Sequence, residues 1–128
     1  MPPRFRSAQM TGSQLPLAMP RSDARQNLLD SITCATAAFT PPHTQLTEVS
    51  ICFGGRLLRG NRSQKVNSSA YQAFDSPGYP HLADMGIEVG WNHAALLKDR
   101  GTYRPRFRVS RQSHSLNAAR ALVHLSPA

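Results

Sequence analysis

The residues best suited to do chemistry in this sequence are arginines near its carboxyl-terminal end. The stretch RGTYRPRFRVSR spans residues 100–111 and has no acidic residue. In an extended strand, alternate side chains share one face at a spacing of about 6.6 Å, twice the strand rise. Guanidinium groups form forked hydrogen bonds with phosphate and carboxylate groups. The stretch therefore predicts an anion-binding site made of Arg100, Arg104, Arg106, Arg108 and Arg111.

The formal net charge of +8 is concentrated at the two ends of the chain. Residues 1–22 and 100–128 hold no Asp or Glu, whereas residues 23–99 are close to neutral. Such a layout is typical of a body with basic ends that bind an anionic partner. The partner predicted is RNA or an acidic protein surface. Because most arginine codons are GC-rich, the same composition also fits an orphan chain without a long-evolved function.

Motifs for catalysis, metals and cofactors are absent from the sequence. There is no GxSxG, no GxGxxG and no GxxxxGK[ST], and no two of the five histidines lie three or four residues apart. One catalytic alternative pairs Cys34 or Cys52 with His93, because WNHAALL resembles the histidine strand of papain-like amidases. No motif flanks either cysteine. The prediction is a non-enzymatic protein with no metal and no cofactor.

The two cysteines indicate the cellular compartment of the protein. Cys34 and Cys52 are either one disulfide in an oxidising compartment or two reduced thiols, and reduced thiols are the default. That predicts an intracellular protein, cytoplasmic or nuclear, with mitochondrial import or secretion as alternatives. No apolar run reaches the roughly 18 residues that a membrane span requires.

The helices and strands that the sequence predicts are short. The spacing of Ala24, Leu28, Ile32, Ala35 and Phe39 predicts a helix that begins after the N-cap Ser22 and buries this apolar stripe. The segment 47–59 predicts a β-hairpin around a Gly-Gly turn at residues 54–55.

After residue 59, the sequence patterns that predict strands and helices are shorter. Residues 68–74 predict a strand that ends in a turn at residues 75–78, and residues 87–91 predict another strand that places Trp91 in the core. A short helix is predicted after Asn92, and another at residues 113–125. The fold class is then α+β, a helix plus short antiparallel strands. Its organisation is a disordered basic arm at 1–21, a small near-neutral core at 22–99 and a basic segment at 100–128.

One family resemblance follows from these residues. FDSPGYP at residues 74–80 resembles the SPGYP segment of CUB domains, with Trp91 in register and Val89 where that family has a cysteine. Upstream, Cys52 and the glycine pair are similar to the opening of the family's pattern, so the resemblance covers about residues 52–109. It implies an extracellular β-sandwich binding module, the alternative to an intracellular anion-binding protein.

Overall fold

The computed structural model describes residues 8–37 and 46–97 of the chain. Within them, one α-helix and several short strands form a small mixed α/β domain. The elements in chain order are β1 (Ala8–Met10), α1 (Ala24–Ala37), β2 (Val49–Phe53), β3 (Arg56–Arg59), a 3-10 turn (Gly60–Arg62), β4 (Gln64–Lys65), β5 (Phe74–Asp75), β6 (Ala83–Met85) and β7 (Val89–Trp91).

The first two strands are parallel, with α1 between them in the chain. Ala8 pairs with Val49 and Met10 with Ile51. Parallel neighbours need a crossover of this length, usually a helix. The expectation of antiparallel strands alone is therefore wrong at this pair. The expected disordered arm at 1–21 is also wrong for residues 8–10, because β1 gains its hydrogen-bond partners from a strand that is distant in sequence.

The hairpin predicted at residues 47–59 is confirmed. β2 and β3 pair antiparallel, with Cys52 opposite Leu57. Gly54 and Gly55 form the turn with φ angles of 59° and 77°, in the left-handed region that glycine adopts at little cost.

The rest of the sheet is built outward from β3. The five-stranded order is β1-β2-β3-β6-β7, and β4 and β5 form a separate two-stranded sheet. The strand predicted around Trp91 is confirmed as β7, while the strand predicted at 68–74 contributes only Phe74 to β5. The turn predicted at 75–78 lies one residue later, where the N–H of Tyr79 donates to the carbonyl of Ser76 (3.1 Å). The short helix predicted after Asn92 is wrong for the described residues up to 97, because residues 93–95 form a turn.

The core is small and lies where α1 meets the sheet. Trp91 is half-buried against it, which agrees with its predicted place in the core. On the smaller sheet, the ring of Phe74 packs on Phe53 with centroids 5.1 Å apart, so the two sheets share an aromatic contact. The buried cluster consists of Cys34, Leu46, Cys52, Leu57, Leu82, Ala83 and Ala95.

The helix forms where predicted but buries a different face. Ser22 Oγ accepts the N–H of Ala24 (3.1 Å), so the predicted N-cap is confirmed. The predicted apolar stripe is wrong as a core face, because Leu28 and Ile32 are exposed. The buried positions are Asn27, Ser31 and Cys34. Side chains this small and polar let the helix approach the sheet closely and form hydrogen bonds with it.

Candidate functional site

The carboxyl ends of β1 and β2 lie at the same edge of the sheet, because the two strands are parallel. The loop that follows β1, residues 11–15, leads toward α1, and the Gly54-Gly55 turn follows β2. In open α/β sheets, ligands bind outside the carboxyl ends of the strands. This loop, called the β1 loop below, is therefore a candidate ligand-binding segment.

Asp23 fixes the backbone of the β1 loop from the start of α1. Its carboxylate accepts the N–H of Gln14 at 2.9 Å and 3.1 Å and the N–H of Leu15 at 3.2 Å. The Ser22 hydroxyl donates to the Leu15 carbonyl (2.9 Å). One carboxylate thus satisfies two successive loop amides, a charge-assisted arrangement.

Asn27 ties the β1 loop to the hairpin. This buried side chain donates to the Gly12 carbonyl (2.8 Å) and to Asp23 Oδ2 (3.1 Å). Its Oδ1 accepts the N–H of Gly54 (3.1 Å). Nearby, the Thr11 hydroxyl donates to the Cys52 carbonyl (2.8 Å). Asp23 and Asn27, one helical turn apart, hold the ends of both parallel strands together.

A second loop, residues 66–72, lies beside the β1 loop. Gln14 Nε2 donates to the Ala70 carbonyl (2.7 Å), and the Tyr71 hydroxyl donates to the Arg21 carbonyl (2.8 Å). A Cβ built on Gly54 would lie 3.0 Å from the Tyr71 carbonyl oxygen, so the hairpin turn approaches this loop closely. The two loops therefore form one continuous rim of polar groups beside the hairpin turn.

A separate open cleft of about 430 Å³ lies beside β6, where Asp84 pairs with Arg56 of β3. In it, His81 Nδ1 lies 2.9 Å from Asp84 Oδ1, and His81 Nε2 lies 3.3 Å from Asp75 Oδ1. Arg56 Nη1 is 3.9 Å from the same Asp75 oxygen. Because a carboxylate engages each ring nitrogen, the imidazole has no free nitrogen with which to activate a nucleophile.

The pKa of Asp75 is lowered from its usual value. The main cause is the N–H of Ser76, which donates to Oδ1 at 2.9 Å. Desolvation opposes it, and His81 and Arg56 lower the pKa further. The cleft is thus held by ionic contacts at its surface.

Beneath the cleft, Arg59 forms a buried network. Its guanidinium pairs with Glu48, donates to the Ala95 carbonyl (2.8 Å) and lies 4.1 Å above the ring centroid of Tyr79. Glu48 Oε1 also accepts the N–H of Leu97 (3.1 Å). The hydrogen bond from Arg59 to Glu48 is the main cause that raises the pKa of Arg59. The network fastens residues 95–97 to the hairpin.

The cysteines do not serve as nucleophiles. Cys34 and Cys52 are free and fully buried. The pKa of the Cys52 thiol is raised, first by its hydrogen bond with Cys34 and then by burial. Cysteines buried in apolar surroundings are inert, and both cysteines belong to the buried core, so the structure argues against the catalytic pairing of either cysteine with His93.

The predicted arginine site lies outside the described residues. Its five members fall within residues 98–128, and their role in anion binding stays a prediction. Among residues 8–37 and 46–97, no group of three or more His, Cys, Asp and Glu side chains is arranged to hold a metal ion. No helix in the same ranges is long and apolar enough to cross a membrane.

Comparison with known proteins defines the class of protein. A family model described as "Asparaginase, N-terminal" matches residues 9–97, so the chain belongs to the asparaginase family. A crystal structure of L-asparaginase I from Vibrio cholerae is similar with a TM-score of 0.64 and 33% identity. The similarity covers 79% of this chain and 29% of that one.

Individual relatives are enzymes several times longer than the matched region. L-asparaginase 1 of Escherichia coli (strain K12) is 40% identical over 80 residues, which is 62% of this chain and 22% of that protein. The 60 kDa lysophospholipase of Mus musculus is 37% identical over 89 residues, 70% of this chain and 15% of that protein. The chain thus spans about a fifth, or less, of the length of these relatives.

These findings correct four expectations. The CUB resemblance is wrong, because the matching family and the similar solved structures are asparaginases. The basic RNA-binding protein, the non-enzymatic assignment and the orphan chain are also wrong, since the relatives are L-asparaginases and lysophospholipases. The expectation of an RNA-binding protein rested on net charge. Net charge bears on solubility and association, and it does not determine the fold.

The residues that hold the β1 loop were missed by the sequence analysis. Neither Asp23 nor Asn27 is among the residues that the sequence predicts to form a site. The available signal was their spacing of four on one helix face behind the loop TGSQ. Without a known sheet, nothing indicated that this helix face would meet the ends of two strands.

Proposed function

We propose that this chain acts in amide hydrolysis as part of an asparaginase-family enzyme, and that its β1 loop helps to bind the substrate. The observation that carries the proposal is the loop at the carboxyl ends of two parallel strands, held by Asp23 and Asn27 within the region that matches the family. The substrate class is a small amide such as L-asparagine, which the names of the relatives indicate.

The contribution of the β1 loop is positional. Asp23 fixes the Gln14 and Leu15 amides, and Gln14 reaches the second loop at Ala70. The groups of such a loop are ordered before a ligand binds, so binding does not cost the conformational entropy of ordering them. This preorganisation strengthens binding.

The test is a titration of the chain with L-asparagine, followed by the backbone amide resonances of residues 11–15. We expect saturable shifts confined to this loop and to residues 66–72. Asp23→Asn should weaken the binding, because it removes the charged acceptor of two loop amides. Asp30→Asn is the matched control on the same helix, where the carboxylate accepts from the side chain of Gln26, one turn earlier (2.7 Å).

Hydrolysis is tested in a chimera. The 80 residues of E. coli L-asparaginase 1 that align with this chain are replaced by the corresponding residues of this chain. Release of ammonia from L-asparagine, reduced by Asp23→Asn and retained by Asp30→Asn, is the expected result. A folded chimera without activity, or equal activity in both variants, would refute the proposal. Release of fatty acid from lysophosphatidylcholine in place of ammonia would redirect it to the lysophospholipase relatives.

A further inference from the structure

Three sulfur atoms from three different elements meet where α1 packs on the sheet. Cys34 lies in the last turn of α1, Cys52 lies on β2, and Met85 is the last residue of β6. The Cys34 thiol donates a hydrogen bond to Met85 Sδ at 3.7 Å. The Cys52 thiol is hydrogen-bonded in turn to Cys34. The fold thus gathers both cysteines of the chain and a methionine that lies 51 residues from Cys34.

This sulfur cluster, made of Cys34, Cys52 and Met85, is dry on one side and reachable on the other. Both thiols are fully buried and belong to the core cluster. Met85 is half-buried and packs against that cluster from outside. A flexible side chain with a polarisable sulfur can take up a soft ion near the surface and pass it inward. The cluster therefore has an entry path as well as a water-free interior.

The donor set of the cluster favours one class of metal ion. Thiolates and thioethers are soft ligands, and soft ligands suit Cu(I) better than the hard divalent ions. Structural zinc takes four ligands, whereas this cluster offers three. Bonds from a thiolate to a metal ion are about 2.3 Å long, so two sulfurs on one trigonal ion lie about 4 Å apart. The separation of 3.7 Å between Cys34 and Met85 is close to that value.

We propose that Cys34, Cys52 and Met85 form a binding site for a soft monovalent metal ion of the Cu(I) type. On binding, both S–H bonds break, the two thiolates and the Met85 thioether each form a bond to the ion, and two protons pass to solvent. No electron is transferred. A thiol that is inert as a nucleophile still loses its proton when it coordinates a metal ion. The proposal does not depend on the amide-hydrolysing function.

Protons compete with the ion for this site. The pKa of the Cys52 thiol is raised by its hydrogen bond with Cys34, by burial and by the charges of Cys34 and Asp30. Metal binding to thiols releases protons, so it strengthens as the pH rises. An affinity for Cu(I) that increases with pH is therefore expected of a site made of these two thiols.

The experiment titrates the reduced full chain with Cu(I) under anaerobic conditions, in competition with bathocuproine disulfonate, whose Cu(I) complex absorbs visible light. We expect one ion per chain, release of two protons per ion into a weakly buffered solution, and tighter binding at higher pH. X-ray absorption at the copper edge should show three sulfur ligands at about 2.3 Å. Nitrogen or oxygen ligands in their place would overturn the proposal, because the ion would then lie outside the sulfur cluster.

Variants assign the ligands. Met85→Leu conserves side-chain volume and should weaken Cu(I) binding by about tenfold or more, because it removes one soft ligand. Met19→Leu is the matched control, since Met19 is 50% exposed in the turn before α1. Cys34→Ala and Cys52→Ala should each abolish binding. Circular dichroism checks that each variant keeps the parental fold.

The pair of methionine variants keeps the test decisive if a cysteine variant does not fold. Equal affinities of folded Met85→Leu and Met19→Leu would overturn the proposal, because Met85 would then be no ligand. The absence of Cu(I) binding by the folded, reduced parent would also overturn it. Because none of these readouts measures hydrolysis, the metal site and the amide-hydrolysing function can fail separately.

Discussion

Glu48 and Arg59 illustrate how single residues hold this small domain together. The side chains are 5% and 12% exposed, and between them they accept or donate to the backbone at Leu97 and Ala95. A buried ion pair contributes little in comparison with an apolar pair, but the loss of one partner leaves an uncompensated charge. The two residues are therefore mutually dependent.

Glu48→Gln should lower the free energy of unfolding by about 3–5 kcal/mol, because Arg59 then stays buried without its counter-charge. Urea denaturation at neutral pH measures the effect. Asp30→Asn, an isosteric change at a carboxylate on the helix, should stay within about 0.5 kcal/mol of the parent. Equal midpoints for the two variants would contradict the structural role assigned to the pair.

Asp75 makes the stability of the fold depend on pH in the acidic range. Its pKa is lowered in the folded protein, so its stabilising contribution is complete above the unfolded pKa of about 3.9 and is lost as the pH falls through the lower folded value. Asp75→Asn should flatten the acid limb of the curve of stability against pH. Thermal melts of parent and variant from about pH 6 to pH 2 measure this, and parallel curves would show that Asp75 contributes nothing.

At the scale of the element, α1 reverses the usual relation between hydrophobicity and burial. Asn27→Ala should cost about 1–3 kcal/mol, because the Gly54 N–H and the Gly12 carbonyl lose their partner. Leu28→Ala should change stability by less than about 0.5 kcal/mol. Chemical denaturation of both variants is the check, and a costlier Leu28→Ala would restore the apolar stripe as the core face.

The hairpin turn offers a matched pair of glycines. Both have positive φ, which costs a residue with a Cβ about 1–2 kcal/mol. A Cβ on Gly54 would in addition lie 3.0 Å from the Tyr71 carbonyl oxygen, whereas on Gly55 the nearest atom is 3.9 Å away. Gly54→Ala should therefore be more destabilising than Gly55→Ala. Thermal melts that rank the two the other way would contradict the close approach of the 66–72 loop.

At the scale of the whole molecule, one small core joins α1 to β2, β3 and β6. Trp91 is the sole tryptophan and packs against that core. Its fluorescence should change at the same urea concentration as the far-ultraviolet circular dichroism, as two-state unfolding requires. Transitions that separate would show that β7 and α1 unfold independently.

Much of the local structure could be predicted from the sequence. The N-cap Ser22, the Gly54-Gly55 turn and the strand at Trp91 all follow from local rules, because caps and turns depend on the conformational preferences of a few adjacent residues. The predicted boundaries of the elements were wrong where a strand pairs with a segment that is distant in sequence, as β1 does with β2. The candidate site could not be predicted for the same reason, since Asp23 and Asn27 form hydrogen bonds with loops that only the folded chain brings near them.

What the sequence by itself determined is therefore a few local features: where α1 begins, where the hairpin turns, and that Trp91 lies on a strand. The tertiary structure decided which face of α1 is buried and where the candidate site lies. Hydrophobic periodicity favoured the stripe of Leu28 and Ile32, yet hydrogen bonds from Asn27 and the close packing of Ser31 and Cys34 turned the other face to the sheet. Periodicity describes the apolar stripe of a helix, and only the position of the neighbouring strands determines whether that stripe meets the core or an open edge.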